Sequence, residues 1–311
     1  MYYAIYYTNK IKFVFILGRQ LILYNKLKKL SQSMNSTIIE LEKLLNSDVI
    51  SYYGEFFDGC DKFVKDVIET LKSDCQKDTL YVILTTKGGS LNPVVRIVNI
   101  FRHHYNQVNF IVPDYAYSAG TVLCMSGDNI FMNYYSALGP IDPQVINKNG
   151  IFVPALGYLD KVNELLQKAK NRTLTDPEFI ILKEFDLAEL RQYEQAKEFT
   201  IEMLRKWLTN YKFRNWYKHS SNGNPVIKED KEKRAIEIAE KLSDNNIWKT
   251  HNMPINIDIL VNEIKLKIEN FDNNNELKDI LNLYYGYFLD YIYFNKKCNL
   301  FIHSRKDLIN I

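Results

Sequence analysis

Cysteine is scarce and scattered: Cys60, Cys75, Cys124 and Cys298 form no CxxC pair in 311 residues. That spacing signals neither a zinc site nor a disulfide framework, and it fits a reducing compartment. No metal or other cofactor is expected. Long apolar runs are also missing. Residues 13–17 (FVFIL) and 21–24 (LILY) are interrupted by Lys10, Lys12, Arg19 and Gln20, and neither run approaches the ~20 residues that span a bilayer. Basic residues do precede the apolar stretch, but no small-residue cleavage site follows, which disfavours a secretory leader. A strand or amphipathic element packing on the domain or on a membrane surface is expected for residues 1–35. A cytoplasmic protein is expected, with membrane association through that segment left open. An excess of one charge sign is lacking too. The 40 Lys plus Arg against 37 Asp plus Glu spread along the chain without a basic arm or stripe, so nucleic acid is not implied. No internal repeat is apparent.

What is present is an ordinary globular composition, 46% hydrophobic and 25% charged, enough to bury a sizeable core. Residues 36–47 (STIIELEKLLNS) predict a helix capped by Ser36. The extended piece DVISYYGEF follows, then apolar positions Phe63, Val67, Ile68 and Leu71 at helical spacing, then the β-branched run TLYVILTT. A helix over residues 92–104 leads to the strand VNFIVP, and DNIFMN predicts a third strand. Unbroken apolar strands alternating with helices require a mostly parallel sheet covered on both faces. Beyond Leu159 the chain turns helical, with DLAELRQYEQAKEFTIEMLRKWL and then residues 228–242. The expected organisation is one α/β domain over residues 36–270 with a helical extension. Residues 271–311, rich in Asn and Tyr, form a peripheral tail.

Three strand ends carry residues suited to chemistry. Lys87-Gly88-Gly89-Ser90 follows the first of these strands. Paired glycines before a helix permit positive φ and let main-chain N–H groups hold an oxyanion, although a plain tight turn has the same sequence. Tyr117-Ser118-Ala119-Gly120-Thr121 follows the second strand. Ser118 there is either a nucleophile with small neighbours or a helix N-cap. Leu138-Gly139-Pro140-Ile141-Asp142-Pro143-Gln144 is a rigid turn after the third strand, in which Asp142 either serves chemistry or caps its own loop. The first two lie at adjacent strand ends, where open α/β sheets bind ligands.

Taken together, TTKGGS, AYSAGT, DNIFM and SALGPIDPQ, in that order, resemble the serine dehydrogenase proteinase family, distant relatives of the Clp proteolytic subunit and of signal peptide peptidase A. The resemblance is specific from about Asp48 to Gln144 and fainter to about Leu266. It implies a ClpP/crotonase-like fold of stacked ββα units, a peptide or protein substrate and a homo-oligomer. By it, Ser118 matches the nucleophile and the N–H groups of Gly89 and Ala119 match the oxyanion hole. Asp142 and His251 match the rest of a Ser-Asp-His triad. Among the other histidines, His103 and His104 lie roughly 20 Å along their helix from the glycine turn, His219 is in a basic loop and His303 in the tail. The relatives often carry Gly-Arg after the histidine, where this chain has Asn252-Met253. Signal peptide peptidase A uses a lysine base instead, for which Lys161, Lys168 and Lys170 are available if burial lowers their pKa. Acyl transfer to water through Ser118 is the favoured chemistry. A crotonase-type acyl-coenzyme A enzyme and a non-catalytic binding relative are the alternatives. The helices between Leu159 and Leu208 are available for self-assembly.

Overall fold

The structure, a computed structural model, describes residues 2–311 except 75, 76, 147–149, 151, 220, 221, 252 and 297, and omits the side chains of 2–20, 74, 146, 152 and 154. Cys75 and Asn252 therefore lie outside the described residues, as do the side chains of the 13–17 apolar run.

The chain opens with α1 (Tyr2–Leu45) and proceeds through β1 (Asp48–Gly54), α2 (Cys60–Asp74), β2 (Thr79–Thr85), α3 (Leu91–His104) and β3 (Gln107–Ile111). Next come β4 (Tyr115–Ala116), α4 (Ala119–Cys124), β5 (Asn129–Met132), β6 (Ala137–Leu138) and the hairpin β7 (Gln144–Ile146) and β8 (Phe152–Pro154). The helical part holds α5 (Ala155–Lys170), α6 (Asp176–Lys183), α7 (Leu187–Trp207), a π-helical turn at Leu208–Lys212, and α8 (Lys228–Ser243). Then follow α9 (Asn245–Trp248), α10 (Ile257–Asn262), β9 (Glu269–Asn270), α11 (Asn275–Phe294), β10 (Leu300–His303) and β11 (Leu308–Asn310).

The main sheet has the order β11-β10-β1-β2-β3-β5-β9. The run from β1 to β9 is parallel, while β10 and β11 add antiparallel at the β1 edge. Successive residues of a strand point to opposite faces, so each strand feeds two cores. Ile50, Val82, Leu84 and Phe110 pack beneath α2, α3, α4 and α8. Val49, Ile83, Ile111 and Phe301 pack against α1 and α11. Both faces are dry, which is why these strands read as continuous apolar runs rather than alternating ones.

Two expectations are corrected. Ser36 is not an N-cap, because α1 runs unbroken across the expected boundary at residue 35, and the Ser36 hydroxyl donates to the Gln32 carbonyl at 3.1 Å. The cause is an apolar stripe: Leu27, Leu30, Met34, Ile38 and Leu41 fall at helical spacing and pack into the second core. Residues 271–311 are not peripheral. Strand β10 pairs with β1 through Ser51↔His303 and Tyr53↔Phe301, and α11 buries Leu277, Leu281, Tyr284 and Phe288 against α1. Among the described residues no helix is long and apolar enough to cross a membrane.

Candidate active site

The carboxyl ends of the parallel strands build the site. After β2, Thr86 bridges Ala116 and the chain turns through Gly88 and Gly89, at φ 109° and 126°. Both conformations favour glycine. A Cβ at Gly89 would meet the Phe56 carbonyl oxygen at 2.4 Å, and one at Gly88 would meet the Ser118 Cβ at 2.8 Å. Phe56 donates its N–H to Gly88 at 2.8 Å and accepts the Ser90 N–H at 2.8 Å. In such a parallel bridge the intervening residue turns its own N–H to the other side. Gly89 N–H thus faces away from Phe56, and among the described residues neither it nor Ala119 N–H has a partner.

Ser118 sits at the junction of β4 and α4 with φ 52° and ψ −117°, a strained turn for a residue with a side chain. Its hydroxyl makes no capping bond to α4, so the N-cap alternative is not realised. Thr121, fully buried on α4, fixes this turn to the next one. Its hydroxyl donates to the Ala116 carbonyl at 2.8 Å and lies 3.0 Å from the Gly139 carbonyl, while it accepts the Gly139 N–H at 2.9 Å. Tyr117 packs on Gly139, where an added Cβ would meet its ring at 3.0 Å. The Tyr117 phenol is held above its ordinary pKa by burial and by the nearby Asp114.

Asp142 follows β6. Its side chain is 1% exposed and accepts the Gln144 amide at 2.9 Å. On its other oxygen, His251 Nδ1 lies at 2.6 Å. A carboxylate only accepts, so Nδ1 carries the hydrogen and a neutral ring presents Nε2 as a base. The histidine segment reaches Asp142 although 109 residues separate them, because main-chain bonds draw it in. Leu138 and Ile255 exchange N–H···O bonds of 3.0 and 2.8 Å, and Ile141 donates to Leu242 at 3.0 Å. Trp248 anchors the turn before His251 by donating its indole N–H to the Lys241 carbonyl at 2.7 Å.

Ser118, Gly89, Ala119, Asp142 and His251 all line one cleft of about 1080 Å³. Its far wall is α7, through Gln192, Gln195, Phe199 and Thr200. The lysines stand elsewhere. Lys161 is half-exposed and paired with Glu164 at 2.9 Å, Lys168 is paired with Glu164 and Glu178, and Lys170 is exposed. None lines the cleft and none is buried, so the geometry offers no support for the lysine-base alternative. His103 and His104 end α3, His219 belongs to a different cavity and His303 is buried in β10. Thr121, Gln144 and the α7 wall escape sequence reasoning. Gln144, two residues beyond Asp142, offered a local signal, whereas the α7 contacts are purely tertiary.

A family model described as ClpP-like SDH-type serine proteinase matches residues 5–226. The matched span contains Gly89, Ser118, Ala119 and Asp142 and stops before His251. Two relatives from Methanocaldococcus jannaschii, the uncharacterized proteins MJ0137 and MJ1495, are 28% and 24% identical over 38% and 71% of this chain. The chain spans 42% and 62% of their lengths. Among solved structures, a serine-to-alanine mutant of the 1510-N membrane-bound stomatin-specific protease is 13% identical, covering 75% of this chain and 81% of that one, with a TM-score of 0.42. A lysine-to-alanine mutant of the same protease, in complex with a substrate peptide, is 20% identical over 39% of this chain and 58% of that one, with a TM-score of 0.30.

Proposed function

Since the chain belongs to the ClpP-like SDH-type serine proteinase family, we propose that it is a serine peptidase working through an acyl-enzyme on Ser118. The observation that carries this reading is the strained, uncapped Ser118 in the same cleft as the Asp142–His251 pair. In the proposed reaction Ser118 Oγ attacks a peptide carbonyl carbon while His251 Nε2 takes its proton. The oxyanion is stabilised by Gly89 and Ala119 N–H, each worth about 3 kcal/mol in comparable sites. Collapse breaks the C–N bond, and His251 returns the proton to the departing amine. Water, deprotonated by His251, then attacks the ester, and the carboxylic acid leaves with the serine restored.

An acyl-coenzyme A enzyme that stabilises an enolate would need the two N–H donors but neither a strained serine nor a histidine–carboxylate pair. Those two features favour the peptidase. Incubation with an unfolded protein substrate, with products identified by mass spectrometry, tests the assignment. The wild type is expected to release defined fragments and Ser118→Ala to fall to background. Equal cleavage by both, or no cleavage of unfolded chains by the wild type, would overturn it.

A further inference from the structure

Asp142, Pro143 and Gln144 follow one another at the exit from β6. A residue before proline is pushed to extended backbone, proline fixes its own φ, and Gln144 opens strand β7. In an extended run, side chains two apart share a face, which is how the Gln144 amide reaches back to Asp142 at 2.9 Å. The turn does not need that side chain to hold it. Its main chain is pinned by the Ala155 N–H, which donates to the Pro143 carbonyl at 3.0 Å, and by the pairing of Gln144 with Pro154.

The Asp142 carboxylate has two oxygens and, among the described residues, two donors. His251 Nδ1 lies 2.6 Å from Oδ1, and Gln144 Nε2 donates to Oδ2 at 2.9 Å. With 1% of the Asp142 side chain exposed, solvent offers little replacement for a lost donor. A buried carboxylate oxygen left bare is costly, and the group escapes that cost by rotating or by taking a proton. Rotation breaks the contact with His251. Protonation removes the anion that stabilises the imidazolium formed when His251 accepts the Ser118 proton. An amide suits the position because it donates without carrying a charge and does not titrate. Gln144 lines the Ser118 cleft, yet its side chain makes no other hydrogen bond among the described residues, so the amide is committed to Asp142.

We propose that Gln144 is a positioning residue of the Ser118 site, which keeps the Asp142 carboxylate anionic and turned toward His251. The role rests on the peptidase reading, and it acts through Asp142 and His251 rather than on the substrate.

The rate of fluorophosphonate labelling of Ser118 in the full chain, followed from about pH 6 to about pH 9, tests it with Gln144→Met and Gln144→Glu. Gln144→Met removes the donor and is expected to slow labelling about tenfold or more at every pH. Gln144→Glu supplies a donor only while the two facing carboxyl groups share a proton. It is expected to label close to the wild-type rate at the acid end and to fall toward the rate of Gln144→Met as the pH rises. A side chain that only held the strand would give no such rescue. Melting curves establish that both variants are folded. Should Gln144→Met fail to fold, the ratio of Gln144→Glu to wild type decides: a fall with rising pH supports the role and a flat ratio overturns it. Gln144→Met at the wild-type rate, or Gln144→Glu as slow as Gln144→Met at the acid end, overturns the role and leaves the peptidase reading standing. A folded wild type that is never labelled at Ser118 overturns both.

Discussion

A non-glycine residue held at φ 52° and ψ −117° costs on the order of 1–3 kcal/mol, and Ser118 adopts that geometry because its surroundings leave no other. Gly88 lies against its Cβ, and Thr121 ties α4 to both Ala116 and Gly139. Thr121→Val keeps the volume but leaves the buried Gly139 N–H without its acceptor, and is expected to lose about 1–3 kcal/mol of stability by chemical denaturation. Because Thr121 joins the Ser118 turn to the Asp142 turn, hydrolysis is expected to fall by more than the unfolded fraction explains. Normal activity per folded molecule would show that the clip does not position the site. At this scale much was legible. Gly89, Ser118 and Asp142 announce themselves through local motifs, in which positive φ demands glycine and flanking prolines fix the turn that carries Asp142. Thr121 was hidden because two of its three bonds reach Gly139, 18 residues further along the chain. His251 was legible only through resemblance, since nothing local links a loop histidine to a carboxylate 109 residues away.

Among elements, β1, β2, β3 and β5 and the helices α2, α3, α7 and α8 follow their sequence patterns closely, the short strands β4, β6, β7, β8 and β9 were not anticipated, and the misreadings concern α1 and the tail. α1 continues past the expected cap because its apolar stripe is completed by a partner, α11, that lies more than 200 residues further along the chain. β10 contributes a titratable core residue. His303 is 2% exposed, and its Nδ1 lies 3.0 Å from the Tyr284 hydroxyl. Burial pushes its pKa from the ordinary 6.5 down to about 4. The unfolded chain therefore binds this proton at a pH where the folded chain does not. The stabilisation is complete above about pH 6.5 and is lost as pH falls toward 4, amounting to on the order of 3 kcal/mol. Denaturant titrations from pH 7 to pH 4 are expected to show this loss in the wild type and a flatter profile in His303→Gln. Parallel profiles would contradict it.

At the scale of the whole molecule, β10 and β11 cover the β1 edge of the parallel sheet. Ending the chain at residue 270 removes α11, β10 and β11, opening the edge of β1 and stripping Val49, Ile83 and Ile111 of the part of their cover that α11 supplies. Exposed edges and apolar faces of that kind aggregate, so the truncated chain is expected to be insoluble or to lack a cooperative unfolding transition. A soluble, cooperatively folding product would restore the peripheral reading of the tail. The same global packing assembles the cleft, since Ser118, the two N–H donors and the Asp142–His251 pair come from three strand ends and a distant loop. The most direct measurement of that assembly is labelling of the folded protein with a fluorophosphonate, located by mass spectrometry. One adduct per chain on Ser118 is expected, absent in Ser118→Ala and strongly slowed in His251→Ala. A folded wild type that takes up no probe, or takes it up at another residue, contradicts the account.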